Sequence, residues 1–250
     1  MDTRPRIPSI LGRLLYEVSW EGNAKHYRKG GRGRENVLTA EALQVLDWLP
    51  RQHFLGGVID SMHGADAARA KLSSEIEDAS VEMFPTDVLL RPSASAWQEQ
   101  CSVQPDGLIE SPSVFCFIEA KRIGGGTFQQ KQLARELVAT LIQARERTPL
   151  LMLVLGKRPP VAVSRHGRLA IRDAVDLALA HVVTKEAEEC PLPLAEIESM
   201  VNECVCWTTW AELLGCVLRR HEAFSGTSQS VRKAVGRMVE RLSAIIEWHS

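Results

Sequence analysis

The sequence predicts an α/β protein with a mixed central sheet flanked by helices. Three observations lead there. An amphipathic helix pattern comes first, over residues 35–49. Three β-rich runs follow between residues 81 and 121, where apolar spacing changes from a helical period to a strand period. A second helix pattern and a buried-strand run come next, and additional C-terminal helices after them. Helix, strand, strand, strand, helix, strand is an order that packs helices onto a sheet.

Residues 1–34 are expected to be a basic, partly irregular segment, given Pro5, Pro8 and the run Gly30-Gly31-Arg32-Gly33. In 35–49, Val37, Leu38, Leu43, Leu46 and Leu49 fall mostly on one face, and Pro50 stops the helix. Residues 64–80, rich in alanine and charge, predict another helix. Val81 to Phe84 and Asp87 to Leu90 predict a strand interrupted by Pro85, and 102–109 a second strand. Glu110-Ser111-Pro112-Ser113 is a turn. Residues 114–121 have strong β character and predict the third strand. Gly124-Gly125-Gly126 breaks it and predicts a loop. A helix is expected over 129–147, with Leu133, Leu137, Leu141 and Ile142 at helical spacing, and a strand over 150–155. A loop with a short strand at 161–163, a helix over 171–183 and a strand over 204–208 follow. Thr209 and Glu212 fit a capping box that opens a helix to His221. The organisation is therefore read as 1–34, a core over 35–222, and a C-terminal amphipathic helix within 223–250 packed on that core. A homodimer interface along that last helix is the sharper alternative.

Composition excludes several classes. The chain has 250 residues, 45% hydrophobic and 24% charged, which suits a folded core and excludes a disordered or fibrous chain. The apolar run over 150–155 is too short to cross a bilayer, so no membrane partner is expected. No continuous apolar signal core is seen near the start, which predicts a cytoplasmic location. The six cysteines form no CxxC pair and no zinc-like cluster, and are expected to be reduced and mostly buried. Net charge is -1, but residues 1–34 hold eight Lys/Arg against three acids. Lys157, Arg158, Arg165, Arg168 and Arg172 form a second basic segment, and 186–203 is acidic. Such asymmetry suits one positive face for phosphates.

The chemistry-bearing residues sit around the predicted hairpin. If it turns at Ser111-Pro112, residues near 106 oppose residues near 117–119. Alternation then puts Phe115, Phe117, Glu119 and Lys121 on one face, and Val114, Cys116, Ile118 and Ala120 on the other. Converging carboxylates from Asp106 and Glu119, with the Ala120 carbonyl, make a hard-oxygen site suited to Mg²⁺ or Mn²⁺. Such an ion acidifies a bound water, and a lysine two residues away can stabilise charge on phosphate. The simple reading of Pro105-Asp106-Gly107 is a turn.

Pro105-Asp106, twelve intervening residues, and Glu119-Ala120-Lys121 resemble the signature of the PD-(D/E)XK, restriction-endonuclease-like nucleases. The element order is similar as well, since that family's core is αβββαβ. The resemblance covers residues 35–156. It implies a metal-dependent nuclease acting on nucleic acid, DNA first, with Asp106 and Glu119 on the metal and Lys121 assisting the attacking water. Many members add an acid from the first core helix, for which Glu35 is the candidate and Glu41 the second. Some place a glutamine on the helix after the lysine strand, and Gln132 is similar. Members of that kind carry a tyrosine four residues later, where this chain has Glu136. Arg32, Arg34, Lys131 and Arg135 are the expected nucleic-acid contacts. The alternative is a catalytically inactive or regulatory nucleic-acid- or protein-binding module on the same fold.

Overall fold

The computed structural model describes residues 34–92, 101–226 and 228–250, apart from the side chains of Arg34 and Glu35. Element labels count the elements of these residues.

The chain enters on α1 (Arg34–Trp48), α2 (Leu55–Ser61) and α3 (Asp66–Ser74). Strands β1 (Ser80–Met83), β2 (Val88–Leu90), β3 (Cys101–Val103), β4 (Gly107–Glu110), β5 (Val114–Ala120) and the short β6 (Thr127–Phe128) come next. Helix α4 (Gln132–Ala144) crosses to β7 (Thr148–Leu155), then the hairpin β8 (Val161–Val163) and β9 (Gly167–Leu169). The chain ends through α5 (Ile171–His181), a π-helical turn at Val182–Glu186, α6 (Leu194–Cys204), β10 (Val205–Thr209), α7 (Trp210–Glu222) and α8 (Gln229–His249).

The main sheet has five strands in the order β1-β4-β5-β7-β10. β1 pairs with β4 and β4 with β5 antiparallel, while β5 pairs with β7 and β7 with β10 parallel. The expected mixed central sheet flanked by helices is therefore present. Every residue of the central strand β5 is buried, so its two faces build two cores. Val114, Cys116, Ile118 and Ala120 join Leu150, Met152 and Val154 under α1, α2, α3, α7 and α8. Phe115 and Phe117 join Leu151, Leu153 and Leu155 under α4, α5 and α6. Strand alternation sorts them, as it must when both faces are covered. Burying each large apolar side chain contributes roughly 1.5–3 kcal/mol.

Four readings are corrected. The helix expected over 64–80 is only Asp66–Ser74, because Ser80–Met83 pairs with β4 as an edge strand. The strand expected over 102–109 is two strands in different sheets, split at Gln104-Pro105-Asp106. Pro105 cannot donate to a ladder, and β3 leaves to pair with β2. The stretch over 156–170 holds β9 as well as the expected β8. Helix α6 lies in a region read only as acidic. Its buried Ile197, Val201 and Cys204 recur at helical spacing, while Glu196, Glu198 and Glu203 face outward.

Two contacts fix the hairpin that carries the site. Glu75, at the end of α3, reaches the β4–β5 turn. Its Oε2 accepts from Ser111 Oγ at 2.6 Å and from the Ser113 backbone N–H at 3.0 Å, and its Oε1 accepts from Ser113 Oγ. The capping box forms as expected: Thr209 Oγ1 accepts from Glu212 N–H, and the Glu212 carboxylate accepts from Thr209 N–H. That box starts α7 beside the carboxyl end of β5, where Trp210 Nε1 donates to the Lys121 carbonyl at 2.7 Å. Among the described residues, no helix is long and apolar enough to cross a membrane.

Candidate active site

The β4–β5 register pairs Gly107 with Ile118 and Glu110 with Phe115. Continued by one step, it sets Asp106 against Glu119. The ladder is irregular there. Asp106 N–H donates to the Ile118 carbonyl at 3.0 Å, and Phe84 N–H donates to the Asp106 carbonyl at 3.0 Å. The Asp106 side chain then takes over from the backbone: its Oδ2 accepts from Ala120 N–H at 2.8 Å. Pro105-Asp106-Gly107 is thus the point where the chain bends into β4 and aims a carboxylate across β5.

Glu119 points to the α4 side and is 4% exposed. Its Oε1 accepts from Lys121 Nζ at 2.5 Å and from Gln132 Nε2 at 2.6 Å. Gln132 begins α4, so the helix after the lysine strand holds the carboxylate of that strand. The Lys121 ammonium also lies over the Phe128 ring, 4.8 Å from its centroid. Lys121 N–H donates to the Val154 carbonyl of β7 at 2.7 Å, which extends β5–β7 pairing to the edge of the site. Asp106, Glu119, Lys121, Gln132 and the Ala120 backbone are therefore brought together by the ends of β4, β5 and α4.

Glu136, one turn along α4 from Gln132, is the residue whose role sequence reasoning did not assign. It is 4% exposed, and its Oε2 is buried without a hydrogen-bond partner. Burial first, and the negative charge of Glu119 second, push its carboxyl well above the usual carboxylate range; Lys121 and a hydrogen bond with Gln132 oppose them. Burial and the Glu119 charge thus favour its protonated form. The available signal was its i,i+4 spacing from Gln132, but its protonation depends on burial that spacing does not reveal.

The other candidates fall as follows. Lys131 and Arg135 both engage Glu186. Lys131 Nζ donates to Oε1 at 2.7 Å, and Arg135 donates to Oε2 at 2.7 Å and Oε1 at 3.1 Å. Despite its burial, these partners bring the Glu186 carboxyl down to about 2. Neither cation is an uncommitted phosphate contact. Glu41, on α1, pairs with Arg241 of α8 at 3.5 Å. Arg32 and the side chains of Arg34 and Glu35 lie outside the described residues.

The residues fit a hard divalent cation in part. Two carboxylates and a backbone carbonyl are the oxygen donors such an ion takes while keeping several waters. Counted at formal charge, Asp106, Glu119 and Lys121 sum to one negative charge. Among the described residues there is no group of three His, Cys, Asp or Glu that could hold a metal. No family model, curated protein or solved structure matches the chain.

Proposed function

We propose that this chain is a metal-dependent phosphodiesterase acting on nucleic acid, DNA first, of the PD-(D/E)XK kind. The observation that carries the reading is the Asp106 carboxylate seated on the backbone of the Glu119-Ala120-Lys121 run, with Gln132 on Glu119.

Asp106, Glu119 and the Ala120 carbonyl would hold Mg²⁺ or Mn²⁺. When bound, the ion supplies an acidified water and neutralises charge on the phosphate. The chain's own residues do the rest. Asp106 fixes the Ala120 backbone through its N–H. Gln132 orients Glu119 by donating to it. Lys121, held over Phe128, presents an ammonium to charge that develops on a phosphate oxygen. Such a preorganised charge acts most strongly where water is excluded, and Lys121 is mostly buried, its side chain 11% exposed.

A binding module without turnover is the second reading. One observation favours it: Glu119 Oε1 is engaged by both Lys121 and Gln132, and no third described acid completes a metal cluster.

The test is cleavage of plasmid, linear and single-stranded DNA with Mg²⁺, Mn²⁺ or EDTA. Metal-dependent cutting is expected, with loss of about 100-fold or more in Asp106→Ala and Lys121→Ala. Full activity in both variants, with folding intact, sinks the assignment. Binding without cutting under every condition selects the module.

A further inference from the structure

A cavity of about 220 Å³ opens at Lys121, between the glycine loop after β5 and the β7–β8 connection. A second, of about 690 Å³, opens beside it, and the two share Gly156 and Lys157 as walls. The two adjoin as a groove at the carboxyl ends of β5, β7 and β10, the side of a parallel sheet where ligands are commonly taken. Gly156 is required for its shape: a Cβ there would lie 2.1 Å from the Arg122 carbonyl. Gly125, with φ of +116°, exposes backbone along the same wall.

The charge of the groove is one-sided. Its walls carry five cations, Lys121, Lys157, Arg158, Arg168 and Arg219, and one carboxylate, Glu212. Arg158 is paired with Glu212 and Lys121 with Glu119, each at 2.5 Å, so the positive excess of the walls is carried by Lys157, Arg168 and Arg219. A chain of net charge -1 has no general excess of cations to place there. The Lys157 and Arg168 side chains are exposed, and neither has a carboxylate partner among the described residues.

We propose that this groove is the track of the nucleic-acid phosphate backbone, with Lys157 and Arg168 as phosphate contacts that lead the strand to Lys121. The proposal rests on the nuclease reading of the same site and names residues for it that lie outside the metal and lysine positions. Successive phosphates on one strand match cations spread over two adjoining cavities better than a compact anion does.

The test is fluorescence anisotropy of labelled 20-nucleotide single strands and 20-base-pair duplexes in EDTA, from 50 to 200 mM salt. The proteins are the wild type, the charge reversal Lys157→Glu/Arg168→Glu, its milder form Lys157→Ala/Arg168→Ala, and the control Lys71→Glu/Arg145→Glu. Lys71 and Arg145 are exposed at the opposite, amino end of the parallel strands, where Lys71 contacts Thr148. Reversal is expected to weaken binding about tenfold or more and to flatten the salt dependence by about two phosphate contacts. The alanine pair should do the same to a lesser degree, and the control should stay within about twofold of wild type. Wild-type cutting or binding that survives both groove variants unchanged overturns the track and leaves the nuclease reading standing. A wild type that neither binds nor cuts nucleic acid, or that binds polyglutamate in its place, overturns both.

Discussion

The two faces of β5 are equally buried and differently used. On one, Val114, Cys116, Ile118 and Ala120 run apolar to the end of the strand. On the other, Phe115 and Phe117 give way to Glu119 and, just past the strand, Lys121. The first face does what a sheet face needs for stability. The second gives up apolar burial at its carboxyl end for an ion pair, a bent neighbouring strand at Asp106 and a buried acid at Glu136. Buried ion pairs seldom repay their desolvation relative to apolar packing. The difference between the faces therefore separates what holds the fold from what the fold was shaped to present.

The largest expected effect comes from making the second face resemble the first. Glu119→Gln/Lys121→Met keeps the shape and removes the pair. Cleavage should fall by about 100-fold or more, while unfolding free energy stays level or rises by about 1–4 kcal/mol. Glu119→Ala alone should instead lose about 3–5 kcal/mol, because Lys121 is left buried without its carboxylate. Denaturant unfolding and a cleavage assay on the same preparations measure both. A double variant that unfolds more easily than Glu119→Ala makes the pair structural and removes the contrast.

The apolar face gives the converse. Ile118 has no exposed surface. Ile118→Ala should cost about 2–5 kcal/mol through lost burial and a residual cavity. Activity per folded molecule should stay within a few-fold, since Ile118 points away from Glu119. Loss of chemistry without loss of stability there would mean the two faces are not separable.

Glu136 sharpens the comparison through pH. Burial pushes its folded carboxyl well above 4.5, so the contribution of the protonated form to stability is complete below the ordinary value and is lost as pH rises through the folded one. Glu136→Gln cannot ionise. Measured in EDTA, the melting temperature of the variant minus that of the wild type should grow between pH 5 and pH 8. A difference independent of pH over that range would mean Glu136 is charged in the folded protein.

Much of this was legible in the sequence, and the physical reasons are specific. The hairpin could be read because Ser111-Pro112 is strong turn chemistry between β-rich runs. The facing of Glu119 and Lys121 followed from alternation alone, and α4 from its leucine spacing. Other features depend on tertiary context. Helix α2 holds Gly56 and Gly57, poor helix formers, and Leu55 to Ile59 are buried all round, so no periodic stripe marks it. The division of 102–109 between two sheets depends on which strand β3 finds, although Pro105 marks the place. The engagement of Lys131 and Arg135 by Glu186 joins residues 51 or more positions apart.

That last cluster gives the smallest expected effect. The Glu186 carboxyl titrates at about 2 in the fold, below its ordinary 4.5. Its ion pairs therefore stabilise fully above pH 4.5, and the contribution is lost as pH falls through about 2. Glu186 is buried, but Lys131 and Arg135 are about a third exposed, so solvent screens them and the contribution should not exceed about 1 kcal/mol. Glu186→Gln should melt slightly below the wild type at pH 6, and the gap should close on acidification toward pH 2.5. Added salt should narrow the gap at pH 6 as well. If the variant instead bound nucleic acid more tightly than the wild type, Glu186 would be holding back two cations that can reach a phosphate, and Lys131 and Arg135 would return as contacts beside the groove.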